Sequence, residues 1–355
     1  MDTTITQVGG RFTVRPEHID PLTPTGDPLG WGVVATGNIA RTVSKDLALL
    51  PDARLVGVSS RSQQRADAFA SEFGFDRGYH GHQALLADPE IQVVYIAAPH
   101  GQHFEIAKAA LAAGKHVLCE KAITIDSAEL DQLVDLAEKS RRFLMEALWS
   151  RFVPGMQRAL QIVHSGELGD PRWISANLGF AAREDREGDS RLWDPAQGGG
   201  ALLDLGIYTA MWPVSIFGAP DSVHAVGQLT RRDVDTQTSM TFSYPQGYAQ
   251  LSCSFAANGP GSVTIGCDRG FLQVPERQNC PRELHITDQD RNTRIERFEP
   301  VGVGYVYELR EVTDCVRAGK TQSDLMPLAE SQLYARIFDD VRKQVGIKYP
   351  PVEAR

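Results

Sequence analysis

Between Leu29 and Trp149 the apolar residues fall in short unbroken runs, separated by longer stretches with a helical period. LGWGVV, ARLVGVSSR, IQVVYIAAP, KHVLCEKAI and RFLMEALW read as strands. Their apolar residues are continuous, as expected when helices cover both faces of a sheet. Helices are predicted from the turn after Val34 to about Leu50, over SQQRADAFASEFG closed by Gly74, over GQHFEIAKAALAAG ending at Gly114, and over DSAELDQLVDLAEKS capped by Asp126 or Ser127. Strands and helices alternating at these lengths predict parallel βαβ units with right-handed crossovers.

Beyond Trp149 the rhythm breaks. A helix is predicted over 154–165, a strand near RWISANLGFAA, and a second helix that opens with GGGALLDLGIY (Gly198–Tyr208) and runs to Phe217. From Ser222 to Val274, runs such as MTFSY and AQLSCSF are separated by short Pro-Gln-Gly and Asn-Gly-Pro-Gly turns. Connections that short join antiparallel strands. Helices return near 307–318 and 328–345. The expected fold is α/β: a doubly wound parallel Rossmann sheet over 30–148, then an α+β domain over 149–355 with a large, mostly antiparallel sheet. Residues 1–29 carry four prolines and three glycines, and no apolar segment there reads as a secretion signal. They are expected to form a loosely ordered arm or one that wraps a partner subunit.

Composition narrows the function. A net charge of −9 over 355 residues argues against nucleic acid or an acidic membrane surface as the main partner. The five cysteines are scattered with no C-x-x-C pair, which points to reduced thiols and a cytoplasmic protein. No apolar run is expected to span a membrane.

The first strand-to-helix turn, VVATGNIA, reads as a G-x-G-x-x-G/A fingerprint with Ala35 in place of the first glycine. Gly37 would let the backbone approach a pyrophosphate. The helix start at Asn38 and Ile39, with Thr36 before it, would offer free N–H groups. At the end of the next strand, where NAD sites carry an acid, stand Ser59, Ser60 and Arg61. A guanidinium and a hydroxyl suit a 2′-phosphate, so NADP is preferred to NAD. His100 and His103 in PHGQH have the spacing of a metal pair, yet no third ligand accompanies them and no metal is expected. They fit the lining of a cofactor cleft, or capping and packing at a helix start.

Glu120 and Lys121 close the KHVLCEKAI strand, at the edge where open α/β sheets bind ligands. Asp204 and Tyr208, at i and i+4, share a helix face. The turn GVVATGNIA, the Glu120-Lys121 pair and GGGALLDLGIY together resemble the glucose–fructose oxidoreductase / inositol dehydrogenase / rhizopine-catabolism (Gfo/Idh/MocA) family. FLMEALWSRFVP and MPLAESQLYARIFDDVR narrow the resemblance to its dimeric dihydrodiol dehydrogenase / NADP-dependent D-xylose dehydrogenase branch.

The resemblance implies a homodimer built on the open sheet, Lys121 beside the reacting hydroxyl and the nicotinamide, and Asp204 and Tyr208 at the substrate. It also implies substrate contacts for Trp149 and Arg151, for which plain packing and a surface salt bridge are the alternative; Arg191 and Trp193, in the loop before the glycines, are placed to cover the site. Two departures stand out: Ala35 in the fingerprint, and Ala122 where a proline commonly follows the Glu-Lys pair. The implied reaction is hydride transfer between a nicotinamide and a hydroxyl-bearing carbon of a small aldose, polyol or cyclic diol. Free Tyr and Lys titrate at about 10 and 10.4, too high for a base at neutral pH. The positive charge of Lys121 would lower the phenol of Tyr208, making it the general base in oxidation; the reverse assignment stays open. The same motifs also suit a catalytically silent dinucleotide-binding regulator, or an NAD enzyme that keeps its cofactor tightly bound.

Overall fold

The computed structural model describes residues 20–183 and 190–351, together with the backbone of 7–8 and 12–13. Strands β1 (Gln7–Val8) and β2 (Phe12–Thr13) pair antiparallel within the arm. The chain then divides into two compact units. Among the described residues, one comprises 20–149 and Val301–Gln332; the other comprises 150–183, 190–300 and 333–351.

The first unit is built on β3 (Leu29–Val34), β4 (Ala53–Ser60), β5 (Arg77–His80), β6 (Val93–Ile96), β7 (His116–Glu120) and β8 (Leu144–Ala147). All pairings are parallel, in the order β5-β4-β3-β6-β7-β8. Every residue of β3, β6 and β8 is buried, as two-sided cover requires. Helices α1 (Asn38–Leu47), α2 (Gln63–Phe73), α3 (His82–Leu86), α4 (His100–Ala112) and α5 (Ser127–Ser140) make the crossovers. Ser62 and Asp126 cap α2 and α5 through their side chains, and Gly74 ends α2 in the left-handed region. The strand order reverses between β3 and β6, and such a switch point places a ligand at the carboxyl ends of those strands.

In the second unit, α6 (Pro154–His164) precedes β9 (Pro171–Gly179). Helix α7 (Ile207–Phe217) follows, buried nearly all round. Then come β10 (Ser222–Leu229), β11 (Asp235–Tyr244), β12 (Gly247–Ser254), β13 (Val263–Cys267), β14 (Gly270–Val274), β15 (Glu283–Asp288) and β16 (Thr293–Arg297). The sheet runs β10-β11-β12-β9-β13-β14-β15-β16, and only β12–β9 is parallel. On β11 and β12 buried residues such as Met240, Phe242, Ala249 and Leu251 alternate with partly exposed Ser, Thr and Gln. One sheet face is therefore core and the other polar. Exposed Tyr248 pairs with exposed Trp173 on that open side.

Helices α8 (Val306–Arg317) and α9 (Leu328–Val345) complete the chain. The expected boundary put everything after 148 in the second domain, but Val301–Gln332 belongs to the first unit. Buried charge explains the return. Asp46 of α1 accepts the N–H groups of Val303, Gly304, Tyr305 and Val306, so a carboxylate from α1 satisfies the start of α8. Arg310 of α8, fully buried, donates to Asp52 at 2.5 Å and to the carbonyl of Pro21 at 2.9 Å. Burial opposes ionisation of Asp52, but hydrogen bonds from Arg310, Thr25 and Arg317 hold it well below the usual carboxylate range.

The expectation that no stretch matches a membrane span needs correction. Pro195–Phe217, 23 residues, is apolar and long enough by composition, and 89% of its apolar window is buried inside the protein. It is the core segment of the second unit, broken into 3-10, π and α turns.

Candidate active site

In the first unit, the turn after β3 is shaped for an anion. Ala35 lies at φ 81°, the left-handed region that its fingerprint position demands and that alanine occupies only with strain. Gly37 caps α1 with no side-chain hydrogen bond, and no acid lies in the first turn. A Cβ built on Gly37 would meet nothing within 4 Å. The space beside this helix start is open, Gly37 and Asn38 are exposed, and Thr36 and Ile39 are half-buried. A pyrophosphate fits such a cradle of N–H groups.

At the end of β4, Ser60 is buried and its Oγ accepts the N–H of Ser62 at 3.3 Å. Arg61 is exposed, and its guanidinium makes no ion pair or hydrogen bond among the described residues. Arg65, which the sequence reading passed over, stands one turn into α2 in the same state; only its backbone N–H is engaged, by Ser62. The signal for it was present: a second arginine at a helix start beside a strand end with no acid.

The exit of β7 is braced on several sides. Tyr95 donates to Oε1 of Glu120. A ring nitrogen of His100 lies 3.0 Å from the Lys121 carbonyl. His103 has one ring nitrogen 2.9 Å from the Ala122 carbonyl and the other 2.7 Å from that of Ala98. Burial pushes His103 down to about 4; the neutral ring has a single N–H, and its tautomer selects which carbonyl receives it. Glu146 of β8 accepts the Ile123 N–H at 3.0 Å. The Lys121–Ala122 peptide is cis. Lys121 itself is 9% exposed. The two histidines therefore hold the chain that carries Lys121, the packing role that the PHGQH motif also allowed. Trp149 is buried too, its ring stacked on Tyr305 at 4.4 Å, so its side chain is engaged in packing.

In the second unit the glycine-opened segment is a π-turn, Leu202–Gly206, running into α7. π-turns recur at functional sites. Asp204 is half-buried in the π-turn, and Tyr208 is 7% exposed at the start of α7. The glycines allow close protein packing. Gly200 sits at φ 107°, and a Cβ there would lie 2.3 Å from Oδ1 of Asp235. That carboxylate accepts the Leu202 N–H at 2.9 Å and the Thr238 hydroxyl at 2.7 Å, and burial pushes it up to about 6. Tyr349 donates to the Gly199 carbonyl at 2.7 Å.

The expected substrate arms divide. Arg191 is exposed. Trp193 is 7% exposed and packs with Leu192, Ala201, Leu205, Cys253 and Phe255, with its ring edge-on to Phe255. Burial of so large an apolar ring stabilises this cluster. Arg151 is 1% exposed and donates to the Ser215 hydroxyl at 2.5 Å. Ser215 lies two turns after Tyr208 on α7, so Arg151 buttresses that helix from within and is no exposed substrate arm. Among the described residues no group of three or more His, Cys, Asp or Glu could hold a metal ion.

Known proteins place this arrangement. Residues 29–148 match the family model described as "Oxidoreductase family, NAD-binding Rossmann fold", and 156–273 match the "GFO/IDH/MocA C-terminal domain". A trans-1,2-dihydrobenzene-1,2-diol dehydrogenase of Mus musculus is 36% identical over 91% of this chain and 98% of its own length.

The chain belongs to the Gfo/Idh/MocA oxidoreductase family.

The Homo sapiens dihydrobenzenediol dehydrogenase is 32% identical over the same shares. Among solved Gfo/Idh/MocA-like folds, KijD10, a 3-ketoreductase from Actinomadura kijaniata crystallised with NADP and TDP-benzene, superposes with a TM-score of 0.81 at 26% identity, covering 92% of this chain and all of its own. Levoglucosan dehydrogenase has the same TM-score at 20% identity, a likeness of fold. Within the Gfo/Idh/MocA frame the parallel-sheet unit is the NAD(P)-binding one.

Proposed function

We propose that this protein is an NADP-dependent dehydrogenase acting on a hydroxyl-bearing carbon of a small sugar or cyclic diol. The observation that carries the reading is the cofactor end: an open, uncapped helix start at Gly37, followed at the next strand end by two exposed guanidiniums, Arg61 and Arg65, and no acid. Two such cations suit a 2′-phosphate better than a bare ribose. The identity with dihydrodiol dehydrogenases along 91% of the chain supports the substrate class.

Asn38 and Ile39 would offer N–H groups to the pyrophosphate, and Arg61, Arg65 and Ser60 would hold the 2′-phosphate. When bound, the nicotinamide supplies the hydride acceptor or donor. Tyr208 takes the hydroxyl proton in oxidation and returns it in reduction. Lys121, fixed by the brace at the β7 exit, stabilises the negative charge that develops on the substrate oxygen. Asp204, one turn before Tyr208, orients the phenol or the substrate. Tyr208→Phe is expected to lower kcat by about 10²–10⁴-fold and to remove the alkaline-side rise of the oxidation rate, while Lys121→Met lowers kcat but leaves that limb in place. A Tyr208→Phe enzyme with the parent rate and profile contradicts the assignment.

We also propose a cytoplasmic homodimer formed through the open face of the eight-stranded sheet. Exposed Trp173 and Tyr248, paired across β9 and β12, support it, because apolar rings amid Ser, Thr and Gln mark a contact surface. Light scattering tests it: a dimer that Trp173→Arg dissociates is expected, and a monomeric parent chain contradicts it.

A further inference from the structure

Glu146 has no part in the chemistry above, yet it sits where it can govern Lys121. It is 2% exposed on β8, in register with Cys119 of β7. Neighbours in register on a parallel sheet point to the same face, and side chains two apart along a strand share a face. Cys119 and Glu146 therefore belong to one side of the sheet and Glu120 to the other, with Lys121 the first residue past the strand end. The carboxylate accepts the Ile123 N–H at 3.0 Å, while Cys119 reaches the carbonyl of the same residue at 3.9 Å. Ile123 is thus gripped at both polar ends, two residues after the lysine. The second oxygen, Oε2, is buried with no hydrogen-bond partner among the described residues. Ser331 of α9 lies close, although its Oγ completes no hydrogen bond either. The charged groups that act on the carboxyl are Glu330 of α9 and Lys121, and the Cys119 thiol feels it in turn.

We infer that Glu146 is a positioning residue for Lys121, anchoring the chain beyond it through the Ile123 amide and supplying the counter-charge to its ammonium. A buried carboxylate oxygen without a donor is costly unless a cation compensates it, and Lys121 is the cation whose attraction the carboxyl feels. Burial pushes Glu146 up to about 7 against the pull of Ser331 and the Ile123 amide, while Glu330 adds to the push and Lys121, less strongly, pulls back; above that point the carboxyl is an anion. The MPLAES stretch opening α9 gains a place here, since it brings Ser331 and Glu330 to the same carboxyl.

The inference rests on Lys121 acting at the substrate, so the test reads the lysine directly as well as turnover. In Glu146→Gln the amide oxygen still serves Ile123 but the charge is gone. The pH midpoint of Lys121 acylation, followed by peptide mass spectrometry, is expected to fall by about one unit, because loss of a neighbouring anion disfavours the ammonium. kcat is expected to fall roughly 10-fold, with the NADPH dissociation constant unchanged within about 2-fold. Glu146→Ala loses the Ile123 acceptor as well and is expected to lose about a further 10-fold, which Gln restores. A parent midpoint and rate in Glu146→Gln overturn the counter-charge, and an Ala variant no worse than Gln overturns the anchor. If the parent protein oxidises no alcohol at all, the dehydrogenase reading fails, and the acylation midpoint still decides the role of Glu146.

Discussion

At the scale of single residues, the cofactor end is written in what is left unsatisfied. Ala35 accepts a left-handed backbone that costs alanine on the order of 1 kcal/mol, and Gly37 leaves space that the chain does not fill. Arg61 and Arg65 are exposed cations with no acid at the strand end beside them. Each charge-assisted hydrogen bond to a phosphate contributes about 1.5–3 kcal/mol. Arg61→Ala is therefore expected to weaken NADP binding by roughly 10- to 100-fold and to leave NAD binding unchanged, read by quenching of protein fluorescence with each nucleotide. Equal weakening of both nucleotides would show that Arg61 serves the fold and not the 2′-phosphate. The same scale shows how Trp193 and Arg151 are held. An aromatic and a guanidinium look like binding groups in a sequence, and at 7% and 1% exposure the two side chains also pack against Phe255 and brace Ser215.

At the scale of elements, periodicity carried the argument well where each helix covers its own strand. The runs at 29–34, 53–60 and 144–147 are strands, and Leu328–Val345 is a helix over the expected residues. The short β5 and α3 escaped, because RGYH has one apolar side chain and HQALL barely exceeds a turn. β15 and β16 escaped because alternating polar residues hide a strand whose one face is open. In the candidate site, Lys121, Asp204 and Tyr208 stood out by their motifs and by the family resemblance, from which the roles proposed for them come. What packs beside them was not legible: Glu146 reaches the Ile123 amide and Asp235 the Leu202 amide from distant segments, and no local pattern announces a long-range carboxylate.

Asp235 also gives a sign that can be checked. Its folded-state value of about 6 lies above the ordinary 3.8. The stability it contributes is full below 3.8 and is lost as pH rises through about 6. Asp235→Asn keeps an oxygen for the Leu202 N–H and removes that titration. Relative to the parent, the variant should gain about 1.4 kcal/mol per pH unit on going from pH ~4 to ~6, measured by denaturant unfolding at stepped pH. A difference that is flat or of opposite sign contradicts the buried, raised carboxyl.

At the scale of the whole molecule, two sheets divide the work that the sequence suggested. The parallel sheet puts the Gly37 turn, Arg61 and the β7 exit at the carboxyl ends of its strands, the edge at which doubly wound folds take ligands. The mixed sheet carries α7 and, with it, Tyr208. The long return of Val301–Gln332 to the first unit shows that sequence order and structural membership differ; Asp46 and Asp52 recruit α8 through backbone N–H groups and Arg310. The family places a dinucleotide on the first of these units, and its substrate remains to be read by turnover. The most direct measurement is the rise in absorbance of reduced nicotinamide when purified protein meets a panel of aldoses, polyols and cyclic diols with NADP or with NAD. Reduction of NADP by at least one sugar or diol, faster than of NAD at equal concentration, is the predicted result. Nucleotide binding with no reduction across the whole panel, or a rate with NAD that exceeds the rate with NADP, would contradict it.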